Sequence, residues 1–135
     1  MPEFRLQRML SMSVDEAWVA FTEASRLEEW FWPPSFNTRV TVDLRVGGSF
    51  RIAAAEPELA VGGEYLEVEA PGRLVHTWLF DGDDEPTLVT LTLNDVQGEA
   101  GLTILHERFA DQETADQNQL GWESCLDRLV AEVRE

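Results

Sequence analysis

The sequence predicts an α+β domain: an antiparallel sheet of about seven strands, two short helices after strand one, and a long C-terminal helix. Three observations carry this. Six strand-like segments, with no helical periodicity among them, follow one another from about residue 38 to residue 109. Two Ser-x-x-Glu spacings, Ser13 with Glu16 and Ser25 with Glu28, open short stretches after the first strand-like segment. The tail from about Asp111 carries a single apolar stripe at helical spacing.

The elements follow in order. "EFRLQRML" alternates Phe4, Leu6 and, less regularly, Met9 and Leu10 with polar residues, the pattern of a strand with one buried face. In "SVDEAWVAF" the period changes: Val14, Ala17, Trp18 and Phe21 fall at i, i+3, i+4 and i+7, so a short helix capped by Ser13 is expected. "SRLEEW" reads as a second helix opened by Ser25. It must end by about Trp32, because Pro33 and Pro34 disfavour helix before and within them. The segment "EEWFWPPSF" therefore places Trp30, Phe31, Trp32 and Phe36 on a helix end and a stiff loop, suited to the rim or lid of a cavity.

The strands come next. "TRVTVDLRV" stops at Gly47-Gly48, "SFRIAAA" at Glu56-Pro57 and "GEYLEVE" at Pro71-Gly72. "RLVHTWLF" ends in "DGDDEP", "TLVTLTLND" in "QGEAG", and "LTILHERF" in "ADQ". Such short connections make an antiparallel meander. In the tail, Trp122, Cys125, Leu126, Leu129, Val130 and Val133 share one face, with Glu123, Asp127, Arg128 and Glu132 largely opposite. About twenty helical residues at ~1.5 Å each make a helix of roughly 30 Å. A sheet curling around such a helix encloses a space unless bulky side chains fill it.

Composition bounds the function. The chain has 135 residues, 44% of them hydrophobic, which suits a single domain over residues 1–135 with one core. Its net charge is −16, from 26 acidic and 10 basic residues, and every basic residue is arginine. That field repels phosphate backbones and anionic membrane surfaces, so no nucleic-acid partner is expected. The absence of lysine excludes Schiff-base chemistry and a P-loop lysine. No run reaches the ~20 apolar residues of a membrane span, and "MPEFRLQRML" lacks an apolar signal region, so no membrane insertion and a cytoplasmic location are expected. Cys125 is the only cysteine. With no histidine beside it in sequence it reads as a buried or half-buried thiol rather than a nucleophile.

Several stretches resemble the activator of heat-shock-protein-90 ATPase homologue family, within the START-like and birch-pollen-allergen-like (SRPBCC) superfamily. They are "SVDEAWVAFTEASRLEEWFWP", "DLRVGGSFRI", "GEYLEVEAPGRLVHTWLF", "LVTLTL" and "GWESCLDRL", which match in order over nearly the whole chain. The resemblance implies a helix-grip fold, a curved sheet around the C-terminal helix with a hydrophobic cavity between them. It also implies a range of functions: binders of small apolar molecules, more distant polyketide-type enzymes, and a co-chaperone module. This chain has only the one small domain, so activation of a chaperone ATPase does not carry over.

Trp30, Phe36, Phe50, Trp78 and Trp122 are the candidate cavity lining, with His76 and Leu126 beside them. The resemblance places Trp78 and Trp122 on the strand and helix that face the cavity. The plainer reading of each aromatic is core filling. His76 shares strand parity with Trp78, so both point to one face, where an imidazole orients a ligand or serves as a general base. A structural histidine is the alternative, and His106 in "LHERF" has a weaker case. Two histidines in unlike contexts do not suggest a zinc site, and neither a metal nor a cofactor is expected. Glu67 and Glu69 alternate with Leu66 and Val68 and should face water, with Glu64 of opposite parity. "DGDDE" lacks calcium-loop spacing and reads as a hairpin turn. Arg45 and Arg51 are expected at the surface.

Three functions remain open at this stage. The first is binding or transport of a small apolar or amphipathic molecule. The second is an enzyme on the same scaffold, with His76 as its base and a polyketide-like substrate. The third is an interaction or stress-response module that meets its partner through the acidic surface or the "WFWPPSF" rim. Homodimerisation is compatible with each.

Overall fold

Alternating and helical periodicities resolve into eleven elements in the structure, a computed structural model that describes residues 1–133, with side chains through Ala131. They are strand β1 (Phe4–Met9), helices α1 (Val14–Thr22) and α2 (Ala24–Trp30), a single 3-10 turn (Pro34–Phe36), strands β2 (Arg39–Val42), β3 (Ser49–Ala54), β4 (Leu59–Glu69), β5 (Arg73–Phe80), β6 (Thr87–Val96) and β7 (Glu99–Glu107), and helix α3 (Gln112–Val133). Glu132 and Val133, assigned from sequence to the two faces of α3, lie outside the residues whose side chains are described.

The seven strands form one antiparallel sheet in the order β1-β7-β6-β5-β4-β3-β2. From β2 to β7 it is the expected meander, and β1 closes it by pairing with β7, Phe4 opposite His106 and Met9 opposite Gly101. The sheet curves around α3, which buries Trp122, Cys125, Leu126 and Leu129 against Val89, Leu91, Leu102 and Ile104 of the central strands. Leu126 and Leu129 are wholly removed from solvent, and each such side chain stabilises the fold by about 1.5–3 kcal/mol. α1 and α2 close one end of this helix-grip arrangement.

Helix α1 begins as the sequence predicts. The Ser13 hydroxyl accepts from the Glu16 amide (3.1 Å), and the Glu16 carboxylate accepts from the Ser13 amide (3.3 Å). The second expected cap does not form. The cap lies two residues earlier, at Glu23, which also ends α1 and whose carbonyl accepts from the Arg26 and Leu27 amides. Ser25 therefore lies inside the helix. Glu28 is diverted to the Val40 amide (2.9 Å), which ties α2 to β2.

Two strands differ from expectation. β2 ends at Val42 rather than running to Val46, because residues 43–48 fold back on themselves: Gly48 N–H donates to the Arg45 carbonyl, and the Arg45 guanidinium clasps the Asp43 carboxylate. Gly47 adopts φ +87°, and a Cβ on Gly48 would sit 2.2 Å from the Asp43 carbonyl oxygen, so the glycine pair is required by the turn. β4 starts at Leu59, well before "GEYLEVE". Within it the register slips between Tyr65 and Glu67. This bulge turns Tyr65 inward and leaves Leu66 exposed, opposite to simple alternation, while Glu64, Glu67 and Glu69 all face solvent. Gly63 permits the bend, since a Cβ there would lie 2.0 Å from the Thr77 carbonyl oxygen. The β6–β7 turn is also tighter than expected, using only Gln97 and Gly98.

Candidate functional site

Where the sheet parts from the first turns of α3, a cavity of about 460 Å³ remains. Its floor is aromatic: Phe31 and Trp32 from the segment after α2, Trp78 and Phe80 from β5, and Trp122 from α3. Its mouth is polar, with Thr114, Gln117 and Asn118 on α3 facing Asp83 in the β5–β6 turn. Among the described residues no arginine lines it, and Asp83 is its one acidic residue.

Phe31, Trp78 and Trp122 form a triad at the base of the cavity. Their ring centroids are 5.0 Å apart for the two tryptophans and 5.9 and 5.8 Å from Phe31 to each. The same three rings roof a second, much smaller void of about 30 Å³, whose walls include Phe50, Tyr65 and His76. The triad therefore lies between the larger outer cavity and the small inner one.

A directed chain of hydrogen bonds fixes the two tryptophans. Indole Nε1–H of Trp122 only donates, and it donates to His106 Nδ1 (3.2 Å). His106 therefore carries its proton on Nε2 and donates to the Thr87 hydroxyl (2.7 Å), which in turn donates to the Trp78 carbonyl (3.1 Å). The chain joins helix to sheet beneath the cavity. Burial holds His106 neutral, its pKa pushed down to about 3 with a further push from nearby His76. His76 is lowered to about 4, also by burial, partly opposed by its bond to the Thr77 carbonyl (2.8 Å). Because a carbonyl only accepts, His76 donates from Nδ1 and presents Nε2 as a lone pair. Burial likewise raises the Tyr65 phenol above its ordinary value.

The rim is held by α3. The end of α2 leaves carbonyls without intrahelical partners. Arg128 supplies them, donating to the carbonyls of Trp30 (3.2 Å) and Phe31 (2.9 Å). The Cys125 thiol donates to the Phe31 carbonyl as well. Sequence periodicity put Arg128 on the solvent face, but its half-buried side chain turns back across α3 to this cap. Cys125 is buried, and burial pushes its thiol up to about 11.

Of the residues singled out from sequence, Trp78 and Trp122 border both cavities, and Phe50 and His76 border the inner void alone. Trp30 and Leu126 do not border the outer cavity. Trp30 is core, its indole N–H bonded to the Ala20 carbonyl (3.0 Å), and Leu126 is fully buried under the sheet. Phe36 is half-buried and packs behind Trp32 rather than on the cavity (centroids 6.0 Å). Phe31, expected from sequence only as part of the rim segment and not among the lining residues, and His106, given a weaker case than His76, hold central positions. Parity on β7, with Leu102, Ile104 and His106 all inward, was the available signal for His106. Arg51 is exposed and paired with Asp81 (2.7 Å), which places "DGDDE" at a surface turn.

A curved seven-stranded sheet wrapped on one long helix, with aromatic-lined space between, defines a START-like, helix-grip protein. The chain belongs to the family of activator of Hsp90 ATPase homolog 1-like proteins, whose model matches residues 11–134. Among solved structures it is similar to protein CV1439 from Chromobacterium violaceum, at 32% identity over 97% of this chain and 96% of that one, with a TM-score of 0.84. The fold is shared with an HSP90 activator from Plasmodium falciparum (20% identity, 97% and 95% covered, TM-score 0.79). It is shared too with DynU16, a protein in the dynemicin biosynthetic locus (23% identity, 98% of this chain and 47% of that one, TM-score 0.84). No curated protein matches the sequence. No described helix is long and apolar enough to cross a membrane.

Proposed function

We propose that this protein binds a small, uncharged molecule with an aromatic or otherwise apolar body in the outer cavity. The observation that carries this reading is a space of about 460 Å³ floored by five aromatic rings and edged by polar groups. Ligand sites commonly occupy about 300–1,000 Å³ and combine apolar walls with a few polar groups that orient the ligand. Charge narrows the class. An anion would enter an apolar space with no cation in its wall among the described residues, past Asp83 and through the field of a chain carrying −16, so its desolvation would go uncompensated. His76 lies behind the triad, its base strength lowered by burial, which favours binding over proton abstraction as the task of this site.

Native mass spectrometry of freshly purified protein, followed by solvent extraction, tests the proposal together with titration of uncharged aromatic probes by equilibrium dialysis. The expected result is a co-purifying neutral aromatic molecule, or saturable micromolar binding of such probes that Trp122→Ala weakens. Absence of both a bound molecule and saturable binding would overturn it.

A further inference from the structure

The inner void of about 30 Å³ has room for a group the size of a water. Two side chains of its wall have unused hydrogen-bonding capacity of opposite kinds. The Trp78 indole N–H is buried and has no acceptor among the described residues. An unpaired buried donor is costly and is normally satisfied in the working state of a protein. His76, with Nδ1–H committed to the Thr77 carbonyl, has Nε2 as a bare acceptor. The two rings are neighbours on one face of β5, 6.0 Å apart centroid to centroid, and both border the inner void.

Resting on the binding reading above, we infer that the ligand is a phenol or alcohol whose hydroxyl passes the Phe31–Trp78–Trp122 triad, accepts from Trp78 Nε1–H and donates to His76 Nε2. A hydroxyl is the simplest neutral group that does both. A ketone or ether satisfies Trp78 but sets its lone pairs against that of His76. A carboxylate does the same and adds a buried charge. The outer cavity then selects for an aromatic body and the inner void for one hydroxyl on it.

The test compares naphthol, naphthalene and methoxynaphthalene by equilibrium dialysis against the intact chain and its Trp78→Phe and His76→Phe variants. Naphthol is the most water-soluble of the three, so hydrophobicity alone ranks it last. The expected result is tighter binding of naphthol than of either analogue, by about tenfold or more for two hydrogen bonds. That preference, read within each variant as the ratio of naphthol to naphthalene affinity, should fall to about threefold or less in both. Equal binding of the three probes to the unsubstituted protein would overturn the hydroxyl anchor and leave the binding function standing. Failure of all three to bind would overturn the hydroxyl anchor and, where no molecule co-purifies either, the binding function with it. A preference for naphthol that survives both substitutions would also overturn the assignment, because it would place the anchor elsewhere. The comparison on the unsubstituted chain decides the matter if a variant does not fold.

Discussion

Acidification puts the two buried histidines to the test. In the unfolded chain each takes up a proton near its ordinary pKa of about 6.5, whereas in the folded protein His76 resists until about 4 and His106 until about 3. Between those values the unfolded state binds more protons, so stability falls as the pH falls. Neither ring has a carboxylate partner among the described residues: His76 faces Phe50, Tyr65 and Trp78, and His106 faces Phe4, Phe109, Trp78, Thr87 and Trp122. At about pH 5 the folded state has lost about 1.5 pH units of linkage per histidine, or about 2 kcal/mol each and about 4 together. By about pH 4 the combined loss is about 6 kcal/mol, comparable with the whole stability of many domains of this size. The sign is informative, because relief of charge repulsion in a chain of net charge −16 pushes the opposite way as it nears neutrality. Urea denaturation across about pH 7.5 to 5, at fixed ionic strength, reads the slope. A His76→Gln/His106→Gln double variant should flatten it. Stability that is level or rises over that range would refute the assignment of two neutral buried imidazoles.

Two further outcomes follow from the rim. Arg128→Met keeps most of the stem but leaves the Trp30 carbonyl without its side-chain donor and the Phe31 carbonyl with the Cys125 thiol alone. It should cost about 1–3 kcal/mol in chemical denaturation and weaken aromatic probe binding, because the segment carrying Phe31 loses the Arg128 bonds that hold it to α3. Cys125 should resist alkylation by iodoacetamide at neutral pH in the folded protein and react at an ordinary rate once denatured, as mass spectrometry of the adduct would show.

Much of this architecture was legible because local signals and tertiary demands agree. Turn residues on either side, Pro71-Gly72 and "DGDDEP", gave β5 its limits, Arg73–Phe80, and the Ser13 box gave the start of α1. Where they disagree, tertiary structure decides. Ser25 has the spacing of a cap, but the carbonyl of Glu23 is already in place as the helix start, and Glu28 finds a better donor on β2. Strict alternation put Leu66 inside, and a bulge reversed it with Tyr65, a change that depends on the close approach of Gly63 to β5. The site was legible only in part, for a related reason. Parity identified Trp78 and His76 as sharing a face, and the helical stripe identified Trp122. Which aromatics border empty space and which are filled over depends on packing between remote segments. The sequence therefore does not distinguish Phe31 from Trp30, adjacent residues with opposite roles.

The stacking of Trp78 near Trp122, 5.0 Å between centroids at an interplanar angle of 34°, has an optical consequence. Two indoles at that separation share their electronic excitation, so their near-ultraviolet circular dichroism carries the sign and size of the angle between them. One ring rides on the sheet and the other on the helix, and any molecule that pushes past them changes that angle. The protein thus carries its own chromophoric gauge of how far the helix stands from the sheet, readable without a label and without knowing what the visitor is.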